Sequence, residues 1–238
     1  MKKAVKKIDV TYSGNWMDAM DCVGLGCYRI NRLGFKSVIL LQGLQVYYFM
    51  SGSYYSPWKL RQFQQIFHAG GVFAYPTESV YGLGCDPWNL EAVLDLLEIK
   101  HRDPTKGMIL VASSADQLTP FVSLESSLDW ERLVETRDRP TTWLVPASRE
   151  TPWWIIGEHQ TVAVRITGFS PVVQLCNSVN SALVSTSANL SGHPALKSAV
   201  SVRQSVGNQL DMLLIGKTGG VSAPSEIREF YSNKVVRS

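Results

Sequence analysis

From Pro57 to the C-terminus, short apolar runs alternate with stretches whose apolar residues recur at helical spacing, and this restricts the fold more than any single motif. Trp58, Leu60, Phe63, Ile66 and Phe67 form a stripe that predicts a helix from Pro57, stopped by Gly70-Gly71. A strand is predicted over 72–75. Asn89 reads as the N-cap of a helix that carries Ala92, Val93, Leu96 and Leu97 on one face as far as Lys100. Further helices are predicted around 123–135, 170–177 (Ser170 as cap, Pro171 at the first position) and 199–206. Further strands are predicted at 108–112, 142–145, 161–166, 182–185 and 212–215. Such alternation predicts an α/β sheet covered on both faces.

Composition agrees. With 238 residues, 45% hydrophobic and 18% charged, the chain can bury a sizeable core and is neither a disordered tail nor a fibrous repeat. The net charge of +3 is concentrated in residues 1–49, and the rest is close to neutral, so overall charge does not identify a nucleic-acid binder. Cys22, Cys27, Cys85 and Cys176 have neither zinc-site spacing nor the density of a secreted disulfide scaffold, which predicts a reduced cytoplasmic protein. The apolar run 38–50 is broken by Gln42, Gly43 and Gln45, short of a membrane span, and no signal peptide is expected, because the basic start precedes no compact apolar stretch with a small-residue cleavage site.

Residues 1–49 lack clear periodicity and read as an N-terminal extension, joined to a domain spanning 50–238 through Ser51-Gly52-Ser53. Met50 lies where a compact protein would begin, so the extension is either an overlong or disordered addition to the gene model or a genuine partner-binding arm. Mass spectrometry of the native N-terminus distinguishes the two.

Several familiar motifs fail on inspection. Gly216-Lys217-Thr218 resembles the end of a P-loop, but the required upstream glycine position holds Asp211. Gly82-Leu83-Gly84 lacks the third glycine of a dinucleotide fingerprint, which falls at Pro87. His68, His101, His159 and His193 are scattered without metal-ligand spacing, and no Gly-x-Ser-x-Gly elbow is present.

Three polar clusters remain, each following a predicted strand, the usual place for a site in an α/β sheet. The first, 75–84, reads Tyr-Pro-Thr-Glu-Ser-Val-Tyr-Gly-Leu-Gly and is expected to form a glycine-rich turn. The second, 100–107, holds Lys100, Arg102 and Lys106 in a loop fixed by Pro104 and Gly107, and suits either a solvated helix end or a polyanion. The third, Ser185-Thr186-Ser187-Ala188-Asn189-Leu190-Ser191-Gly192, has the small hydroxyl and amide groups of a phosphate cradle. Together they describe an anion-binding cleft.

In order and spacing, Ala74-Tyr75-Pro76-Thr77-Glu78, Tyr81-Gly82-Leu83-Gly84, Lys100-x-Arg102 with Lys106-Gly107, Ala163-Val164-Arg165, Ser185-Thr186-Ser187-Ala188-Asn189 and Pro224-Ser225-Glu226-Ile227-Arg228 resemble the YrdC/TsaC family of threonylcarbamoyl-AMP synthases, in its bacterial single-domain branch. The resemblance covers about Met50 to the C-terminus. It implies a YrdC-like twisted mixed β-sheet flanked by helices around a central anion-binding cleft. It also implies formation of threonylcarbamoyl-AMP and pyrophosphate from L-threonine, bicarbonate or CO2, and ATP with Mg2+. The product serves threonylcarbamoyladenosine modification of tRNA beside the anticodon.

By correspondence with the family, Lys100, Arg102 and Lys106 carry the catalytic charge. ATP falls to these three with Thr161, Ser187, Asn189 and Arg237, and threonine to Thr77, Arg165, Ser185 and Ser225. No protein metal site and no tightly bound cofactor are implied. The implied partners are the proteins of the tRNA threonylcarbamoyl-transfer machinery and tRNA or double-stranded RNA. Arg165 is open to a second reading, as a structural ion-pair residue.

The family commonly has Trp-Pro-Gly-Pro where this chain reads Arg137-Asp138-Arg139-Pro140, an altered turn that puts full activity in question. Two alternatives therefore accompany the main reading: a YrdC-like RNA-binding protein with weak or no catalysis, and a carbamoyl-adenylate enzyme of another pathway.

Overall fold

The computed structural model describes the backbone of residues 26–32, 35–42 and 45–51, and backbone with side chains for 53–135, 139–190, 192–221 and 225–237. The chain divides into two compact units, Met1–Tyr54 and Tyr55–Ser238. In the first, β1 (Gly26–Arg32), β2 (Phe35–Gln42) and β3 (Gln45–Ser51) pair as an antiparallel sheet in that order, with Gly26 opposite Leu41 and Lys36 opposite Ser51. The sequence reading assigns no element here. β2 is a run of mostly apolar residues without the alternation that marks a half-buried strand.

The second unit contains α1 (Pro57–His68), β4 (Phe73–Pro76), β5 (Tyr81–Gly84), α2 (Leu90–Lys100), β6 (Ile109–Ala112), α3 (Ser127–Val134), β7 (Thr141–Pro146) and α4 (Trp153–Ile156). It continues with β8 (Thr161–Ile166), α5 (Ser170–Val179), β9 (Leu183–Ser187), α6 (Ala199–Val206), β10 (Met212–Leu213), β11 (Glu226–Glu229) and β12 (Val235–Arg237). The strands form one mixed sheet in the order β10-β4-β5-β9-β6-β8-β7-β11-β12. Among the described residues only β10–β4, β6–β8 and β7–β11 run parallel.

Local chemistry explains most boundaries. The Ser56 hydroxyl accepts the Lys59 N–H at 3.2 Å, Pro57 begins α1, and Gly70 takes φ +80 just beyond its end. Asn89 caps α2 by accepting the Ala92 N–H at 3.1 Å. Two details differ from the sequence reading. Trp58 is 62% exposed, so the core-facing stripe of α1 is Leu60, Phe63, Ile66 and Phe67, with Phe63 and Phe67 buried and the other two partly so. Ser170 is the first helical residue of α5, and the cap position is Phe169, whose side chain makes no capping bond.

Alternation along the strands sorts the core into two layers. Phe73, Tyr75, Val111 and Leu183 join Phe63 and Phe67 of α1 and Val172, Leu175 and Cys176 of α5 on one face. Ala74, Leu83, Leu110, Ala112 and Val184 join α2 and α6 on the other. α1 and α5 thus lie over the β4 to β6 half of their face, while the side chains of β8 and β7 that point the same way line an open hollow.

The glycine-rich turn expected over 75–84 is in fact mostly sheet. β5 pairs with β4 on one side (Tyr75 opposite Gly82, Phe73 opposite Gly84) and with β9 on the other (Gly82 opposite Ser187). Its glycines answer a close approach: a Cβ on Gly84 would lie 2.6 Å from the Val184 carbonyl oxygen and 3.0 Å from the rings of Phe73 and Tyr75. Gly84→Ala is accordingly expected to lower stability by roughly 2–3 kcal/mol, the cost of forcing atoms into a packed interior. The urea unfolding midpoint measures it.

Candidate active site

The open half of the sheet face, with loops above it, encloses a cavity of about 750 Å³. All eleven residues singled out from the sequence line it: Thr77, Lys100, Arg102, Lys106, Thr161, Arg165, Ser185, Ser187, Asn189, Ser225 and Arg237. Arg137 and Asp138 of the altered turn, Ser191 and Pro224 lie outside the described residues.

Strand register orders the floor of this cavity. Ile109 of β6 stands opposite both Ala163 of β8 and Ser185 of β9. Two residues in one direction lead to Thr161 and Ser187; two residues the other way along β8 lead to Arg165, opposite Val111. At about 3.3 Å per residue, Thr161 and Arg165 are about 13 Å apart on one face of one strand. Val162 and Val164 between them are fully buried on the opposite face. The floor therefore has two ends.

Cations gather at the Thr161 end. Lys100, the last residue of α2, is only 4% exposed, because its ammonium turns inward to donate to the carbonyls of Ser187 (2.5 Å) and Asn189 (2.6 Å). Burial, and then the neighbouring charge of Arg102, bring its pKa down to about 8. Arg102 donates from Nη2 to the Gly107 carbonyl at 2.9 Å, while its buried Nε has no hydrogen-bond partner among the described residues. Burial, followed by the charge of Arg237, pulls the Arg102 guanidinium below its ordinary value, so an anion arriving here relieves repulsion already present. Of the two sequence readings of this loop, a solvated helix end does not fit a buried lysine.

The loop is held from outside. Gly157 takes φ +63 immediately after α4, where a Cβ would lie 2.2 Å from the Thr105 carbonyl oxygen. Glu158 N–H donates to that oxygen at 3.0 Å, and Met108 N–H donates to Ile155 at 2.8 Å. The Asp103 carboxylate accepts the Thr105 N–H at 2.9 Å and starts the short turn Pro104–Lys106. Neither α4 nor this docking was anticipated from the sequence, since a four-residue helix gives too short a periodic signal.

The other end is built around Arg165. Its Nη2 lies 3.3 Å from Glu78 Oε2, and the Thr167 hydroxyl donates to Glu78 Oε1. The ion-pair reading of Arg165 is thus met, yet Nε remains buried without a hydrogen-bond partner among the described residues, and the side chain still lines the cavity. Two hydroxyl pairs stand nearby. The Tyr75 phenol donates to Ser185 Oγ at 2.8 Å, and Thr142 Oγ1 lies 2.9 Å from Ser225 Oγ. Thr77 donates its hydroxyl proton to the Val80 carbonyl at 2.8 Å, leaving oxygen lone pairs as acceptors. Thr142, which is fully buried, also lines the cavity and was not singled out; adjacent threonines in an apolar strand carry no signal of which one faces a ligand.

Among the described residues no Asp or Glu lines the cavity, and none form a cluster of three or more metal-ligating side chains. The donors beside the cations are the hydroxyl of Ser187 and the amide of Asn189, neutral oxygens that suit an ion carried in by phosphates better than a protein-held one. No helix among the described residues is long and apolar enough to cross a membrane.

A family model described as Sua5_yciO_yrdC, telomere recombination, matches residues 65–238. The threonylcarbamoyl-AMP synthase of Pseudomonas entomophila is 45% identical over 183 residues, covering 76% of this chain and 98% of that protein. The enzyme of the same name from Vibrio cholerae is 46% identical over 181 residues, 75% of this chain and 96% of its own length. Among solved structures, P. abyssi Sua5 complexed with L-threonine superposes with a TM-score of 0.68 at 26% identity, covering 73% of this chain and 51% of that one. The chain thus spans about half of that structure and nearly the full length of the two bacterial proteins.

Proposed function

Because the chain belongs to the Sua5/YciO/YrdC family, we propose that it is an L-threonylcarbamoyladenylate synthase, joining L-threonine, bicarbonate or CO2, and ATP into threonylcarbamoyl-AMP with release of pyrophosphate. The observation that carries this reading is the convergence of eleven residues, scattered from Thr77 to Arg237, on one cavity with cations at one end and a guanidinium at the other. Its volume of about 750 Å³ falls in the range of roughly 300–1,000 Å³ usual for small-molecule sites.

The two ends suit two substrates. Lys100, Arg102, Lys106 and Arg237 surround the triphosphate, Thr161, Ser187 and Asn189 hydrogen-bond it, and Ile155, Ile156 and Val236 offer apolar surface to the nucleoside. Mg2+ would enter with the nucleotide as part of the substrate, and Ser187 and Asn189 are the cavity side chains that would offer it neutral oxygens. Arg165 takes the threonine carboxylate, with Thr77, Ser185 and Ser225 around the rest of the amino acid.

The threonine amine, as the free base, adds to CO2 and loses a proton to give the carbamate. A carbamate oxygen then attacks the α-phosphorus, and the bond to the β-phosphate oxygen breaks. Charge accumulates on the leaving pyrophosphate, where preorganised cations stabilise it without moving. The tRNA-modifying machinery takes the product, in the cytoplasm. The catalytic domain is the unit Tyr55–Ser238 rather than 50–238, because the boundary expected at 49/50 falls inside β3, which pairs with β2 in the first unit.

The deciding experiment incubates the purified full chain with ATP, bicarbonate and L-threonine, omitting each in turn. Pyrophosphate release that requires all three is expected. Release that persists without threonine, or that needs carbamoyl phosphate instead, overturns the reading, as does salt-sensitive RNA binding with no turnover.

The lowered pKa of Lys100 gives a second expectation. The free enzyme loses this ammonium as pH rises through about 8, so KM for ATP should climb severalfold between pH 7.5 and 9. Initial rates across that range, with threonine at saturation, check it.

A further inference from the structure

We infer that Tyr75 is a positioning residue for the amino-acid substrate, aiming the hydroxyl of Ser185 into the cavity from two strands away. The inference rests on the proposed function, because it assumes that Ser185 meets threonine.

Tyr75 lies on β4 and Ser185 on β9, with β5 between them. A phenol can span that distance only if the intervening strand has no side chains in the way. β5 provides this: a Cβ on Gly82 would lie 3.3 Å from Tyr75 Cζ, and one on Gly84 would lie 3.0 Å from Tyr75 Cε1. The ring therefore lies across the bare backbone of β5 and delivers its O–H to Ser185 Oγ at 2.8 Å. The glycines that resembled a turn in the sequence are the track along which this ring passes.

The bond has a direction. Tyr75 is completely buried, and burial raises its pKa well above the phenol range, an effect the Ser185 hydrogen bond only partly offsets, so it remains a donor at every working pH. Ser185 then has one lone pair engaged and its own proton to place. Ser185 lines the cavity, and its hydroxyl makes no other hydrogen bond among the described residues. Its proton accordingly points at whatever acceptor occupies the Arg165 end. Without the phenol, the serine rotor is free to turn, and part of its donor strength goes to other rotamers.

The experiment compares wild type, Tyr75→Phe, Ser185→Ala and the double variant in steady-state pyrophosphate release, varying threonine and ATP separately. Tyr75→Phe keeps the ring over β5 and removes only the donor. It is expected to raise KM for threonine about five- to tenfold, the size of one net hydrogen bond, with KM for ATP within twofold. In the Ser185→Ala background the same change should alter KM for threonine less than twofold, because its target is gone. A purely structural tyrosine would lower the unfolding midpoint while leaving the ratio of the two KM values unchanged. That result, a wild-type KM for threonine in Tyr75→Phe, or independent effects of the two substitutions overturns the inference. A wild-type chain that releases no pyrophosphate with threonine overturns the functional reading as well.

Discussion

Lys100→Ala should reduce kcat/KM for ATP by about 10²–10³-fold, the usual loss when one preorganised charge is removed from a site where negative charge develops. The ammonium is fixed by the carbonyls of Ser187 and Asn189 and buried to 4% exposure, so neither water nor a neighbouring side chain can take its place quickly. Stability should change little. The substitution leaves two carbonyls short of a donor, but it also removes a charge whose depressed pKa records an unfavourable burial. Thermal unfolding and ATP kinetics of the same preparation separate the effects. Turnover within a few-fold of wild type, in a variant that unfolds normally, would mean the triphosphate binds elsewhere.

Arg165→Ala should have the opposite substrate signature. Threonine loses its two-pronged partner, and kcat/KM for threonine is expected to fall roughly 100-fold or more, while KM for ATP stays within about threefold. This variant also carries a folding cost. Glu78, paired at 3.3 Å and only 15% exposed, is left with Thr167 as its side-chain partner, and breaking such a pair costs roughly 3 kcal/mol. Arg165→Lys separates the contributions: it restores a charge opposite Glu78 and much of the stability, but cannot reproduce the planar fork. Threonine isothermal titration with urea unfolding would show both, and equal losses for threonine and ATP would refute the assignment of ends.

What the sequence made legible follows from the length and cleanliness of each signal. α1, α2, α6 and β8 are long enough for periodicity to show, and Asn89 marks its helix as a cap should. β5 was hidden because glycines chosen for ring clearance look like a turn. β11 reads Glu-Ile-Arg-Glu, where Glu226 and Arg228 pair at 2.7 Å and so disguise a strand as a charged loop. β12 is three exposed residues, legible only through its partner β11.

The cavity residues were findable as polar clusters after strands and, jointly, through the family they resemble. Tyr75 and Thr142 are not assigned roles from the sequence, because each is a buried hydroxyl hydrogen-bonded to a serine distant in sequence, and nothing local distinguishes such a hydroxyl from an ordinary core residue.

The sheet order has one more consequence, in time rather than space. β4 receives β10 as its neighbour only after about 140 further residues have been made, and β7 waits some 85 residues for β11, so its outer pairings close long loops. A ribosome must therefore release nearly the whole chain before the floor of the cleft has its edges. A nascent chain arrested before β11 emerges lacks the neighbour of β7 and, further on, Arg237, and should neither bind nucleotide nor resist proteolysis.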